Sequence, residues 1–164
     1  MPKSGETPLM MAAWEGEEAM ARMLLSHGAD ANSADSKGHT SLYHAACFGR
    51  LDIVRLLLEA GGNAADSYGV TSLHIAARCA LLDIVRLLLE AGVDANAADS
   101  DGKTSLDIAA SHREPDIVRL LLEAGADPNV AWTQSGETRL IRAARQGEER
   151  VVPMLLSHGA NANA

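Results

Sequence analysis

A chain of 164 residues with 47% hydrophobic and 22% charged side chains can bury a core of ordinary size, but its five aromatic residues leave aliphatic side chains and alanine to fill that core. A formal net charge of −8 disfavours unspecific binding to nucleic acid, which depends on lysine and arginine neutralising phosphates. No apolar run approaches the roughly 20 residues of a membrane span, and residues 1–6 hold no apolar signal segment, so a cytoplasmic or nuclear setting is expected.

The first predicted helix follows Thr7, in Thr7-Pro8-Leu9-Met10-Met11-Ala12-Ala13, and the second ends in Met23-Leu24-Leu25-Ser26-His27-Gly28-Ala29. Threonine is a good N-cap, because its hydroxyl accepts from an orphan backbone N–H two or three residues on. The pattern restarts at Thr40, Thr71, Thr104 and Thr138, at intervals of 33, 31, 33 and 34 residues, each time with a leucine and then an alanine pair. The alanine pair lets a neighbouring helix approach closely.

In the second unit the stretch Asp52-Ile53-Val54-Arg55-Leu56-Leu57-Leu58-Glu59-Ala60-Gly61 is a helix whose polar residues fall on one narrow stripe. It returns letter for letter at residues 83–92 and 116–125. An apolar surface this wide predicts burial on several sides, by a partner helix and by copies of the unit before and after it. Gly61, Gly92 and Gly125 stand where a helix ends in a left-handed residue.

Five units in phase, each a turn and two helices, resemble the ankyrin repeat family. The residues carrying the likeness are Asp66-x-x-Gly69-x-Thr71-x-Leu73-His74-x-Ala76-Ala77, then Asp83-Ile84-Val85-x-Leu87-Leu88-Leu89, then Gly92-x-Asp94-x-Asn96-Ala97. The resemblance implies an all-α solenoid of stacked helix-turn-helix units with short β-hairpin loops. It makes residues 1–164 a single domain, with repeats near 4–34, 35–65, 66–98, 99–132 and 133–164. It further implies that the turn asparagines Asn32, Asn96, Asn129 and Asn163 match a place where asparaginyl hydroxylases act in that family.

Departures from the pattern carry their own expectations. The family's Thr-Pro-Leu-His keeps its histidine only at His74 and its proline only at Pro8. Repeat two is two residues short between Gly61 and Asp66, which abbreviates its arm, and repeat four gains one residue around Val130-Ala131-Trp132. Ala80 and Arg113 replace the glycine found as Gly16, Gly49 and Gly147, which pushes them towards positive φ. Pro153 falls about a turn into the last predicted helix and is expected to kink it. Arg139, Arg142 and Arg145 form a stripe read as a C-terminal cap, since the end units of an array must tolerate water.

No P-loop, dinucleotide, nucleophile-elbow or zinc-protease spacing is present, so no catalytic residues, cofactor or metal are expected. His27 and His158 sit at helix ends, and His39, His44 and His112 have no carboxylate or cysteine at a recognised ligand spacing. Cys47 and Cys79 fit no C-x-x-C spacing and are read as reduced thiols. Information lies where the period breaks, at the end of each first helix and in the arms, the places that form a concave protein-binding surface in the resembled family. The candidate partner-binding residues are Trp14, Lys37, His39, Phe48, Tyr68, Arg78, Asp101, Lys103, His112, Trp132 and Arg145. The expected function is non-enzymatic binding of a protein or peptide by a monomer that can also associate end to end. The alternative is an engineered or consensus-like scaffold without a natural ligand.

Overall fold

The structure, a computed structural model, describes residues 5–62, 68–130 and 136–163. Among them are ten helices: α1 Pro8–Glu15, α2 Glu18–Ser26, α3 Ser41–Cys47, α4 Leu51–Glu59, α5 Ser72–Arg78, α6 Leu82–Glu90, α7 Ser105–Ser111, α8 Pro115–Glu123, α9 Arg139–Arg145 and α10 Val151–Ser157. The odd-numbered helices pack on one another in chain order to form one layer, the even-numbered helices form a second, and each odd helix packs on the even helix that follows it.

Local chemistry sets the helix starts. Thr7, Thr40, Thr71, Thr104 and Thr138 all have extended backbone, and each hydroxyl accepts the N–H of the residue three positions on. In α5 the cap is reciprocal: the Thr71 N–H donates to Nδ1 of His74 at 3.1 Å, which leaves the proton on Nε2, and Nε2 donates to the Lys103 carbonyl of the next repeat at 3.0 Å. In α7 aspartate stands at the same place. Asp107 accepts from Thr104 N at 2.8 Å, and the guanidinium of Arg139 in repeat five reaches it with Nε at 2.7 Å. Arg139 also donates to the Thr104 hydroxyl and the Asp127 carbonyl. The third helical residue of α5 and of α7 therefore looks towards the following repeat.

The repeated block packs as its pattern predicts on one side. Ile53, Val54 and Leu57, Ile84, Val85 and Leu88, and Ile117, Val118 and Leu121 are all buried. The buried surface is narrower than expected, however: Leu56, Leu87 and Leu120 are half-exposed, and Ala60, Ala91 and Ala124 are exposed where the helix ends. Layer packing covers the sides of these helices and leaves their backs to water. The arms contribute single antiparallel bridges, Ala34 to Thr40 and Ala98 to Thr104. Turn asparagines tie units together, with Nδ2 of Asn32, Asn96 and Asn129 donating to the carbonyls of Gly61, Gly125 and Gly159 one repeat on.

Two irregularities follow the expectation, and two correct it. Ala80 and Arg113 take φ of 57° and 58°, in the left-handed region their glycine counterparts occupy. Gly61, Gly92 and Gly125 do the same at the helix ends. Pro153, by contrast, produces no mid-helix kink. The helix starts at Val151, two residues later than its counterparts, so Pro153 lies in the first turn, where its missing N–H costs no helical bond. The predicted arginine cap is also corrected: Arg139 is buried against repeat four and Arg142 lines a groove with Asp107 and Ile108, while Arg145 is exposed and Ile141 and Leu156 are the exposed large apolar residues of repeat five. The abbreviated arm at residues 63–67 and the insertion at 131–135 lie outside the described residues.

Candidate functional site

Short first helices end with their last side chains directed out of the stack, and in repeats one and two those side chains are rings. Trp14 is in the last turn of α1 and Phe48 caps α3. Their rings stack at 5.2 Å and 16°, and they remain 42% and 43% exposed. Arg50 anchors the backbone beneath them, its guanidinium donating to the Trp14 carbonyl at 3.4 Å. Trp14 also stacks on His44 at 5.9 Å, His39 stacks on Tyr43 at 3.9 Å, and His44 meets both His39 and Tyr43 edge-on. A continuous run of five rings therefore crosses the inner-helix face from repeat one into repeat two.

Asp35 underlies this run. Its Oδ1 accepts the backbone N–H groups of Lys37 at 2.8 Å and His39 at 2.9 Å, the bonding that closes the arm. Its Oδ2 lies 3.4 Å from Nδ1 of His39 and 3.9 Å from Nε2 of His44. Burial pushes the Asp35 pKa upwards, but the two backbone donors and the neighbouring histidines outweigh it, and the carboxyl titrates below the usual range. His44 titrates below the usual histidine range because burial disfavours its charged form and His39 adds to that, against the opposing pull of Asp35 and Glu6. At neutral pH this places a carboxylate beside a neutral imidazole. The sequence reading found no carboxylate at a recognised ligand spacing from His39 or His44, yet in space Asp35, His39 and His44 offer three ligand atoms within 4.8 Å of one another. The four residues from Asp35 to His39 match a spacing that helices use for ligands, but they lie in an arm, and His44 is five residues further on, so the fold of the arm against α3 brings the three together.

Repeats three to five present a different surface on the same layer. Arg78 at the end of α5, Lys103 in the arm, His112 capping α7 and Arg142 on α9 line one groove of about 320 Å³, with Asp99 and Asp107 among the acidic groups. Lys103 Nζ pairs with Asp101 at 3.6 Å, Arg145 pairs with Glu137 at 2.8 Å, and His112 Nδ1 bonds the Ile108 carbonyl at 2.9 Å.

Of the candidate residues, the structure joins Trp14 to Phe48 and gathers Arg78, Lys103 and His112 in one groove, with Asp101 and Arg145 at ion pairs nearby. Lys37 is exposed on the arm of repeat two, and Tyr68 is 63% exposed, its carbonyl accepting from Ser100 N of the next arm at 2.8 Å. His39 is half-buried in the ring run, and Trp132 lies outside the described residues. Sequence reasoning missed three contributors, Asp35, His44 and Arg142. His44 was findable, since its place holds Ile75 and Ile108 in repeats three and four. Cys47 and Cys79 are free thiols.

Comparison with known proteins agrees with this geometry. Residues 2–66, 61–132 and 99–164 each match the family described as ankyrin repeats (3 copies). The chain is similar to the mouse protein fem-1 homolog A-like, 40% identical over 57 residues, which is 35% of this chain and 9% of that relative. It is also similar to mouse ankyrin repeat domain-containing protein 63, 41% identical over 64 residues, covering 37% of this chain and 16% of the relative. The likeness thus spans only a small part of each relative's own length. With matches running through all five units, and a stack of capped helix pairs to go with them, the chain belongs to the ankyrin repeat family, whose members generally serve in protein–protein interaction.

Proposed function

We propose that this chain is a non-enzymatic binding module that holds an extended segment of a partner protein along the face made by its first helices and arms. The partner's apolar anchor rests on Trp14 and Phe48, and its acidic residues lie towards Arg78, Lys103 and Arg142. One observation carries the reading: in a chain with five aromatic residues, two of them stack on each other with over 40% of their surface in water. Large exposed rings serve contact more readily than packing, and binding energy concentrates in such residues. Electrostatics supports the polarity assigned to the partner. The groove between Arg78 and Arg142 gathers cations in a chain whose net charge is −8, so it favours a carboxylate-bearing segment locally.

Panning a random peptide display library against the full chain tests this. The native chain should enrich sequences pairing an aromatic or large aliphatic residue with acidic residues a few positions away. The Trp14→Ala/Phe48→Ala variant should lose that enrichment while keeping its helical circular dichroism. Equal enrichment by both proteins overturns the reading.

A further inference from the structure

The Asp35, His39 and His44 cluster stands apart from the repeat pattern. Arms elsewhere place Val70 and Lys103 where His39 stands, and first helices place Ile75 and Ile108 where His44 stands. A position that repeats three and four fill with isoleucine is thus occupied by a buried imidazole. Its Nε2 is buried without a hydrogen-bond partner, although buried polar atoms are almost always satisfied. That orphaned nitrogen points at the one carboxylate oxygen of Asp35 that the arm's backbone does not use.

We propose that Asp35, His39 and His44 bind a single Zn²⁺ ion, through Asp35 Oδ2, His39 Nδ1 and His44 Nε2, with water completing the tetrahedron. Bonds of about 2.0–2.1 Å hold the ligands of a tetrahedral zinc about 3.3–3.4 Å apart. Asp35 Oδ2 and His39 Nδ1 are already at 3.4 Å; His44 Nε2 stands 3.9 Å from that oxygen and within 4.8 Å of both ligands, so the His44 ring has to move inwards to complete the set. Two imidazoles and a carboxylate suit zinc rather than the all-oxygen shells of magnesium or calcium. The ligands are also held in place, as metal sites require. Backbone N–H groups from Lys37 and His39 fix the carboxylate through Oδ1, Tyr43 stacks on His39, and Trp14 stacks on His44. The site goes beyond partner binding and stands independently of it. Because His44 is sandwiched against Trp14, the ion also stiffens the aromatic half of the proposed binding face.

Titration of the chelator-treated full chain with Zn²⁺ by calorimetry, and with Co²⁺ by visible absorption, tests the assignment. The repeats themselves supply the variants, His44→Ile and His39→Val, each the residue that a neighbouring unit carries at that place. Cys47→Ser/Cys79→Ser removes the thiols as alternative ligands. The expected result is one Zn²⁺ per chain and a tetrahedral Co²⁺ spectrum in the native and the cysteine-free proteins. Both histidine variants should bind at least about 100-fold more weakly, the upper end of what loss of a mere outer-shell partner costs. Zn²⁺ should raise the melting temperature of the native chain and leave that of the histidine variants unchanged. Absence of stoichiometric zinc in the native chain, undiminished binding in both histidine variants, or loss of binding in the cysteine-free protein alone would each overturn it.

Discussion

The two halves of the inner-helix face share one backbone and differ in what the non-repeating positions carry. Repeats one and two present five contiguous rings with one carboxylate beneath them, whereas repeats three to five present arginine, lysine and histidine with aspartates between. Core positions beneath are alike, Leu57 under the first half and Leu88 under the second, both fully buried in identical blocks. A solenoid can thus alter its recognition chemistry along its length without altering its core, because each unit's stability depends on its neighbours' apolar faces and not on the outward positions.

The largest effect should come within the second half, where successive repeats join their neighbours differently. Asp107→Ala leaves Arg139 buried without its carboxylate and should cost about 3–5 kcal/mol in urea unfolding. The double variant Asp107→His/Arg139→Ser, which restores the arrangement around His74, should recover most of that loss. If it does not, the two linkages are not interchangeable. Next come Leu57→Ala and Leu88→Ala, each expected to lower stability by about 2–5 kcal/mol. A large difference between them would mean that the halves differ in scaffold as well as in surface. Trp14→Ala/Phe48→Ala should change stability by less than these core truncations yet weaken a selected peptide by about 2 kcal/mol, read by titration calorimetry. Arg78→Ala/Lys103→Ala should act mainly on the salt dependence of association, a smaller effect suited to exposed charges.

The smallest expected effect is a pH dependence confined to the first half. His44 binds its proton less readily folded than unfolded, so the unfolded state holds more protons below the ordinary histidine range. Stability of the metal-free chain should therefore be full above that range and fall as pH drops through it towards the folded value. His44→Ile should flatten this segment of the profile, and an unchanged slope would remove His44 as its source.

Much of the fold was legible because a repeat states the same instruction five times. Threonine caps, alanine pairs and the ten-residue block each recur in register, and every copy forms the element its chemistry favours. Orientation was less legible. Arg139, Arg142 and Arg145 lie on one stripe by period alone, but only stacking shows that Arg139 turns to repeat four and that Arg142 lines the groove beside Asp107. Pro153 was misjudged because α10 starts at Val151 with no side-chain cap, later than the repeat register places it, so no motif marks its first turn. The Asp35, His39 and His44 cluster escaped notice because an arm folds back on the following helix, so the relevant proximity does not arise within a helix.

Ala80 and Arg113 have one more consequence. A side chain in the left-handed region costs about 1–2 kcal/mol, which glycine at the same joint avoids. Both strained joints belong to the central and fourth units, while the first, second and last turn on Gly16, Gly49 and Gly147. The strain thus falls at interior hinges and not at the extremities, so glycine at both should strengthen the array as a whole, by up to about 1–2 kcal/mol per hinge.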